Sequence, residues 1–197
     1  MCGRYEMFIS PENREMNRII KLIREKYPNS ENIKTGEIFP TNAAPVIASL
    51  NAEIAPELFI WGFPNFRNKG VIINARSETA AEKPAFKSSL LQRRCVIPST
   101  GFYEWKKDSK KQKFRFNIPD EENLYMAGIW NEYNGERRYV ILTTAANKSM
   151  ESIHNRMPIV LTKNKVEDWI LSSAAALSIL KEIPPELIAV KVGKDCN

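Results

Sequence analysis

The sequence predicts an α+β fold with a mainly antiparallel, barrel-like β-sheet core and a few flanking helices. Three observations lead there. Short apolar, strand-like runs recur along the chain and are punctuated by Gly, Pro and Asn. Clear helical periodicity is confined to stretches near the two ends. The helices do not alternate one for one with the strands, as a parallel βαβ architecture would require. With 197 residues, 43% of them hydrophobic and 26% charged, the chain is long and apolar enough to bury a core. No repeat, low-complexity segment or linker interrupts it, so a single domain is expected over residues 2–197.

Taken in order, residues 11–27 read as an amphipathic helix. Pro11 suits the first turn behind a Ser10 cap, and Met16, Ile19, Ile20 and Ile23 recur on one face. Pro28-Asn29-Ser30 ends it. Phe39–Pro45 is a proline-bracketed loop before strand-like Val46–Leu50, and Glu57–Trp61 is the next strand. Gly62–Phe66 forms a loop with two aromatic residues. The apolar run Gly70–Asn74 leads into Ala75-Arg76-Ser77-Glu78-Thr79, where Ser77 or Thr79 is placed to cap a short helix. Leu90–Pro98 follows, then the compact Gly101–Trp105. Phe114–Ile118, Leu124–Trp130 and Arg138–Thr143 read as paired strands. Lys165–Ser173 and Ala174–Lys181 are helical, Pro184-Pro185 breaks the pattern, and Ile188–Val192 is a last strand.

Composition excludes several classes of function. No stretch approaches the roughly 18 apolar residues of a membrane helix. Charges at Arg4, Glu6, Glu12, Arg14, Glu15, Arg18, Lys21 and Arg24 leave no apolar signal-peptide core, so a cytoplasmic location is expected (nucleoid-associated in a bacterium). Three cysteines (Cys2, Cys95, Cys196) and one histidine make neither a disulfide framework nor a zinc site. Cys95, in Cys95-Val96-Ile97-Pro98, reads as a buried structural thiol. The net charge of +6 favours a polyanionic partner. The lysine-rich stretch 106–113 is either a solvated hairpin tip or a phosphate track.

The chemistry begins at Met1-Cys2-Gly3-Arg4-Tyr5. Once Met1 is removed, Cys2 presents an amine and a thiol on adjacent carbons, and the amine has an ordinary pKa of about 7.7–8.0. With an aldehyde such an aminothiol closes to a thiazolidine; with an amide or ester it acts as an N-terminal nucleophile. Asn74 ends an apolar strand, and Arg76 lies two residues on, on the same face. Glu104 is enclosed by Phe102, Tyr103 and Trp105. His154 is the sole histidine, suited to proton transfer near neutrality. Together with Cys2 they form a workable acid–base set.

Four blocks occur in order: Met1–Tyr5, Asn74–Thr79, Gly101–Trp105 and His154-Asn155-Arg156-Met157-Pro158. In them the chain closely resembles the SOS-response-associated peptidase (SRAP) family, which shields abasic sites in single-stranded DNA. Phe39–Pro45, Trp61-Gly62 and Thr143–Ala146 fit the same pattern, so the resemblance spans about residues 2–192. It implies that Met1 is removed and that Cys2 condenses with the ring-opened abasic sugar to a thiazolidine DNA–protein crosslink. The position of Glu104 would assist proton transfer at the Cys2 amine. That of His154 would open the sugar and promote reversal, and that of Asn74 would orient amine and sugar. Arg76 and Arg156 fall where the family contacts flanking phosphates, and Arg4 and Thr143 where it lines the same site. A missing base leaves room for a wedge, for which Pro40 and Phe66 are candidates. The family often carries tryptophans where this chain has Asn65-Phe66. The expected partner is single-stranded DNA containing abasic sites, with no cofactor, metal or membrane and a monomer by default.

Three other readings compete. Met-Cys-Gly also opens glutamine amidotransferases with an N-terminal cysteine, which would not need Glu104 or His154 in these settings. A cysteine peptidase acting on proteins would use the same nucleophile. A non-covalent single-stranded DNA binder would use only the basic surface, and its complex would not survive denaturation.

Overall fold

The computed structural model describes residues 2–28, 33–66, 69–107, 109 and 111–193. Strand β1 (Arg4–Met7) and helix α1 (Arg14–Lys26) lead into β2 (Gly36–Ile38), β3 (Ala43–Leu50), β4 (Glu53–Trp61), β5 (Phe63–Pro64), β6 (Val71–Ile72) and β7 (Asn74–Arg76). Helices α2 (Ser77–Ala80) and α3 (Pro84–Gln92) precede β8 (Arg94–Ser99), β9 (Gly101–Trp105), β10 (Lys113–Asn117), β11 (Leu124–Tyr133) and β12 (Glu136–Ala145). Then come β13 (Arg156–Pro158), β14 (Val160–Leu161), helices α4 (Val166–Leu171) and α5 (Ser173–Ile179), and β15 (Ile188–Lys191).

The expected α+β, mainly antiparallel barrel is present. β12 pairs with β4, β4 with β3, β3 with β8, β8 with β11, and β11 with β12 again, which closes a ring. Within the ring only the β12–β4 step is parallel. A second, antiparallel sheet in the order β15-β10-β9-β1-β2 lies beside it. β8 and β9 are nearly continuous, so the chain passes from one sheet to the other at Thr100.

Period-two alternation divides the barrel side chains between two cores. Cys95, Ile97, Tyr139 and Ile141 join Tyr5, Phe102, Phe116 and the buried face of α1 in one cluster. Their neighbours Val96, Val140 and Leu142 face the other way and pack with Phe86, Leu90, Trp169 and Ile179 of the helices. The barrel wall is thus buried on both sides, which explains why Arg94–Ser99 is buried at every position.

Several boundaries differ from the sequence reading, each for a local reason. Helix α1 starts at Arg14, not at residue 11, because Asn13 is the cap: its Oδ1 accepts the Met16 N–H at 3.0 Å. The run Leu90–Pro98 is two elements. Pro84 opens α3 in its first turn, the helix ends at Gln92, and β8 begins at Arg94. Neither Ser77 nor Thr79 caps α2; Arg76 holds the cap position and no side-chain bond closes it. Asn74 begins β7 rather than ending the run before it. The β3–β4 hairpin is longer than expected because Asn51 and Ala52 both adopt positive φ (52° and 65°). That is the two-residue turn for which Asn-Gly is the usual signal, and Asn134-Gly135 supplies the usual form between β11 and β12.

Arg94, unremarked in the sequence, is buried at the junction of helices and barrel. Its guanidinium donates to the carbonyls of Leu90 (2.9 Å), Leu91 (2.6 Å), Trp169 (2.6 Å) and Ile170 (3.0 Å), which are the C-terminal carbonyls of α3 and α4. No helix among the described residues is long and apolar enough to cross a membrane.

Candidate active site

The site forms where β12 outruns the barrel. Along one edge, β12 is paired first by β4 at Arg138–Tyr139 and then by β7 at residues 141–143. Along the other it is paired first by β11 and then by β13. Thr143 therefore stands opposite Arg76 on one side and Pro158 on the other, and Ala145 stands opposite Arg156. On β7, Ala75 points into the core, which turns Asn74 and Arg76 to the opposite face, as alternation dictates.

β1 brings Cys2 to this place. Asn74 Nδ2 donates to the Cys2 carbonyl at 2.9 Å, and Asn74 Oδ1 is buried with no hydrogen-bond partner among the described residues. Cys2 is fully buried, with Sγ 3.7 Å from the Arg4 carbonyl. Burial, and after it the charge of Glu104, push the Cys2 thiol well above the ordinary range. β1 pairs with β9 with Arg4 opposite Tyr103, so the next residue of β9, Glu104, comes alongside the start of the chain. Glu104 is 4% exposed.

His154 ends a turn whose backbone N–H returns to the Met150 carbonyl at 3.0 Å. Its Nδ1 lies 3.0 Å from the Arg156 backbone nitrogen, which donates to it, and 3.1 Å from the Arg156 carbonyl oxygen. Burial lowers the His154 pKa below its ordinary value, and the Glu104 charge partly opposes that, so the imidazole is neutral at pH 7. One carboxylate thus acts on both the thiol and the imidazole.

Arg76, Lys107, His154, Asn155 and Arg156 line a cleft of about 550 Å³ over this group. Arg156 is held by its surroundings: Nη1 and Nη2 donate to the two Glu78 oxygens at 2.5 and 2.9 Å, and Nη2 also donates to the Thr143 carbonyl at 2.7 Å. That pairing holds the Glu78 carboxyl below its usual range. Thr143 is fully buried, with Oγ1 3.5 Å from the Ala75 carbonyl. Arg4 pairs with Glu37 at 3.1 Å and lies between the rings of Phe39 and Trp105, at 4.2 and 5.1 Å. Pro40 follows Phe39 in the loop after β2 and is half-buried.

Of the residues singled out in the sequence, Cys2, Asn74, Glu104, His154, Arg76, Thr143 and Arg156 converge here, with Arg4 and Pro40 along the β1–β2 side. Phe66 does not. It is 84% exposed, but its ring packs on Tyr133 at 6.1 Å, at the opposite end of β12. Seven steps along the strand separate Glu136 from Thr143, or about 23 Å. Glu78 and Lys107 also meet the site. Glu78 lies inside the second motif and Lys107 inside the lysine-rich stretch, and neither position announces a neighbour in space. Among the described residues no group of three or more His, Cys, Asp or Glu side chains is gathered as a metal would need.

A family profile described as SOS response associated peptidase (SRAP) matches residues 1–197. The abasic site processing protein YoqW of Bacillus subtilis is 35% identical over 188 residues, spanning 86% of this chain and 80% of its own length. YedK of Escherichia coli, which carries the same description, is 29% identical over 175 residues, spanning 86% and 79%. A crystal structure of a protein from Bacteroides thetaiotaomicron superposes with a TM-score of 0.79 at 26% identity, covering 98% of this chain and 93% of that one. With sequence similarity along the whole chain and a shared fold, the protein belongs to the SOS response associated peptidase (SRAP) family.

Proposed function

We propose that this protein is an abasic-site processing protein that binds single-stranded DNA and crosslinks through Cys2 to the ring-opened abasic sugar. The observation that carries the reading is the convergence of Cys2, Asn74, Glu104 and His154 under a cationic cleft. The names of the relatives point to the same lesion.

The steps follow from the protonation states. Met1 is removed first, which frees the Cys2 amine. The abasic sugar is mostly a closed hemiacetal, and Nε2 of His154 exchanges the proton that opens it to the aldehyde. The amine adds to the aldehyde carbon and water leaves, giving a Schiff base, with Glu104 carrying protons between amine and departing oxygen. Asn74 Oδ1, an acceptor with no partner among the described residues, is placed beside Cys2 to orient the amine. The thiol reacts second. It adds to the electrophilic iminium carbon and passes its proton to Glu104 as the C–S bond forms. The product is a thiazolidine, and the mass balance is protein plus DNA minus one water.

A peptidase acting on other proteins would use the same Cys2 nucleophile, but amide chemistry leaves no denaturation-resistant complex with DNA.

The test is intact-mass spectrometry of the protein before and after incubation with single-stranded DNA bearing one abasic site. Loss of Met1, followed by a denaturation-resistant mass of protein plus oligonucleotide less water, is expected. Protein lacking Met1 that forms no adduct would overturn the reading.

A further inference from the structure

The cations of the cleft are not equivalent. Both Nη atoms of Arg156 are committed to Glu78 and the Thr143 carbonyl. Arg76 and Lys107 both line the cleft and have no ion-pair partner among the described residues. They also come from different parts of the fold. Arg76 stands on β7 at the barrel end, whereas Lys107 follows β9 of the five-stranded sheet. The Lys107 Nζ donates to Asn155 Oδ1 at 3.1 Å. A neutral amide fixes where the ammonium sits without cancelling its charge, which removes part of the ordering cost that a solvated lysine meets on binding an anion. Asn155 itself lies between His154 and Arg156, so Lys107 is tied to the segment that carries the imidazole.

We propose that Lys107 is a phosphate-binding residue of the cleft, holding the DNA backbone across from Arg76 with Asn155 as its tether. The inference rests on reading this site as a single-stranded DNA interface. An abasic nucleotide has a phosphate on each side and no base to grip. Two uncommitted cations, one from each sheet, hold those phosphates with the sugar between them, in reach of His154. A lysine suits the role as a point charge that needs no fixed fork geometry. Its position beside His154 is supported by its charge, which adds to the effect of burial in lowering the imidazole pKa.

The experiment measures binding of single-stranded DNA carrying a tetrahydrofuran abasic analogue, which has no aldehyde and so reports association alone. Wild type, Lys107→Gln and Lys107→Arg are compared over a salt series. Lys107→Gln is expected to weaken binding about three- to tenfold for every flanking sequence and to reduce the slope of log K against log salt by ~0.7, the share of one phosphate contact on a single strand. Lys107→Arg is expected to keep the wild-type slope. Wild-type affinity and slope in Lys107→Gln would overturn the assignment of Lys107 while leaving the DNA reading intact. Absence of salt-dependent binding by the wild type would overturn both.

Discussion

Cys2 carries two nucleophiles of unequal readiness, and the difference is testable at a single atom. In the proposed mechanism its amine reacts first and its thiol closes the ring. Cys2→Ser keeps the amine but loses the sulfur, so its adduct should be a Schiff base that survives denaturation only after borohydride reduction, read by gel shift with and without the reductant. Cys2→Ala should likewise give no stable adduct without reduction. His154 makes a second residue-scale prediction through its lowered pKa. Between the lowered folded value and the ordinary value near 6.5, the unfolded chain binds more protons than the native one. The stability associated with a neutral His154 is therefore complete above about pH 6.5 and is lost as pH falls from there through the folded value. His154→Gln should flatten that part of the acid limb, measured as urea midpoints at a series of pH values.

At the scale of elements, the site depends on how β12 hands its edges from one partner to the next, and the elements around it are held by local devices. Arg94 closes the C-terminal ends of α3 and α4 against the barrel through four carbonyls. Arg94→Met should cost about 2–4 kcal/mol, since it leaves those carbonyls without their charged donor. Chemical denaturation checks it, and Arg94→Lys should fall between the two. The β3–β4 turn holds a non-glycine residue in the left-handed region. Ala52 sits at φ 65°, a conformation glycine adopts without strain. Ala52→Gly should stabilise the protein by about 0.5–1 kcal/mol despite the greater freedom of glycine in the unfolded chain. A lowered denaturation midpoint would show that the turn is not strained.

Across the whole molecule, neither sheet contains the site alone. Cys2 and Glu104 come from the five-stranded sheet, and Asn74, Arg76, Thr143 and Arg156 from the barrel end. The two are joined in the core by the hydroxyls of Tyr5 and Tyr139, 2.6 Å apart and fully buried. Tyr139→Phe should cost about 1–3 kcal/mol, because it leaves the Tyr5 hydroxyl buried without its partner. The expected signature is a lower urea midpoint at an unchanged m value, since the surface exposed on unfolding stays the same.

The sequence by itself determined the fold class and most strand positions, and it named residues that meet at the candidate site. Period-two alternation is local, so the strands at Leu124–Trp130 and Arg138–Thr143 were readable without a structure, and the four ordered motifs carried the family. Where the chemistry could be misplaced, the deciding contact was distant in sequence. Phe66 looked like a wedge because exposure and aromaticity are local properties, but its distance from Thr143 is set by the length of β12. Arg156 pairs with Glu78, 78 residues away, a partner that no local pattern announces. Lys107 was one lysine in a charged run until the turn after β9 placed it against Asn155. Tertiary structure decided which charges are committed and which remain available, because strand register, and not sequence distance, brings ionic partners within bonding range.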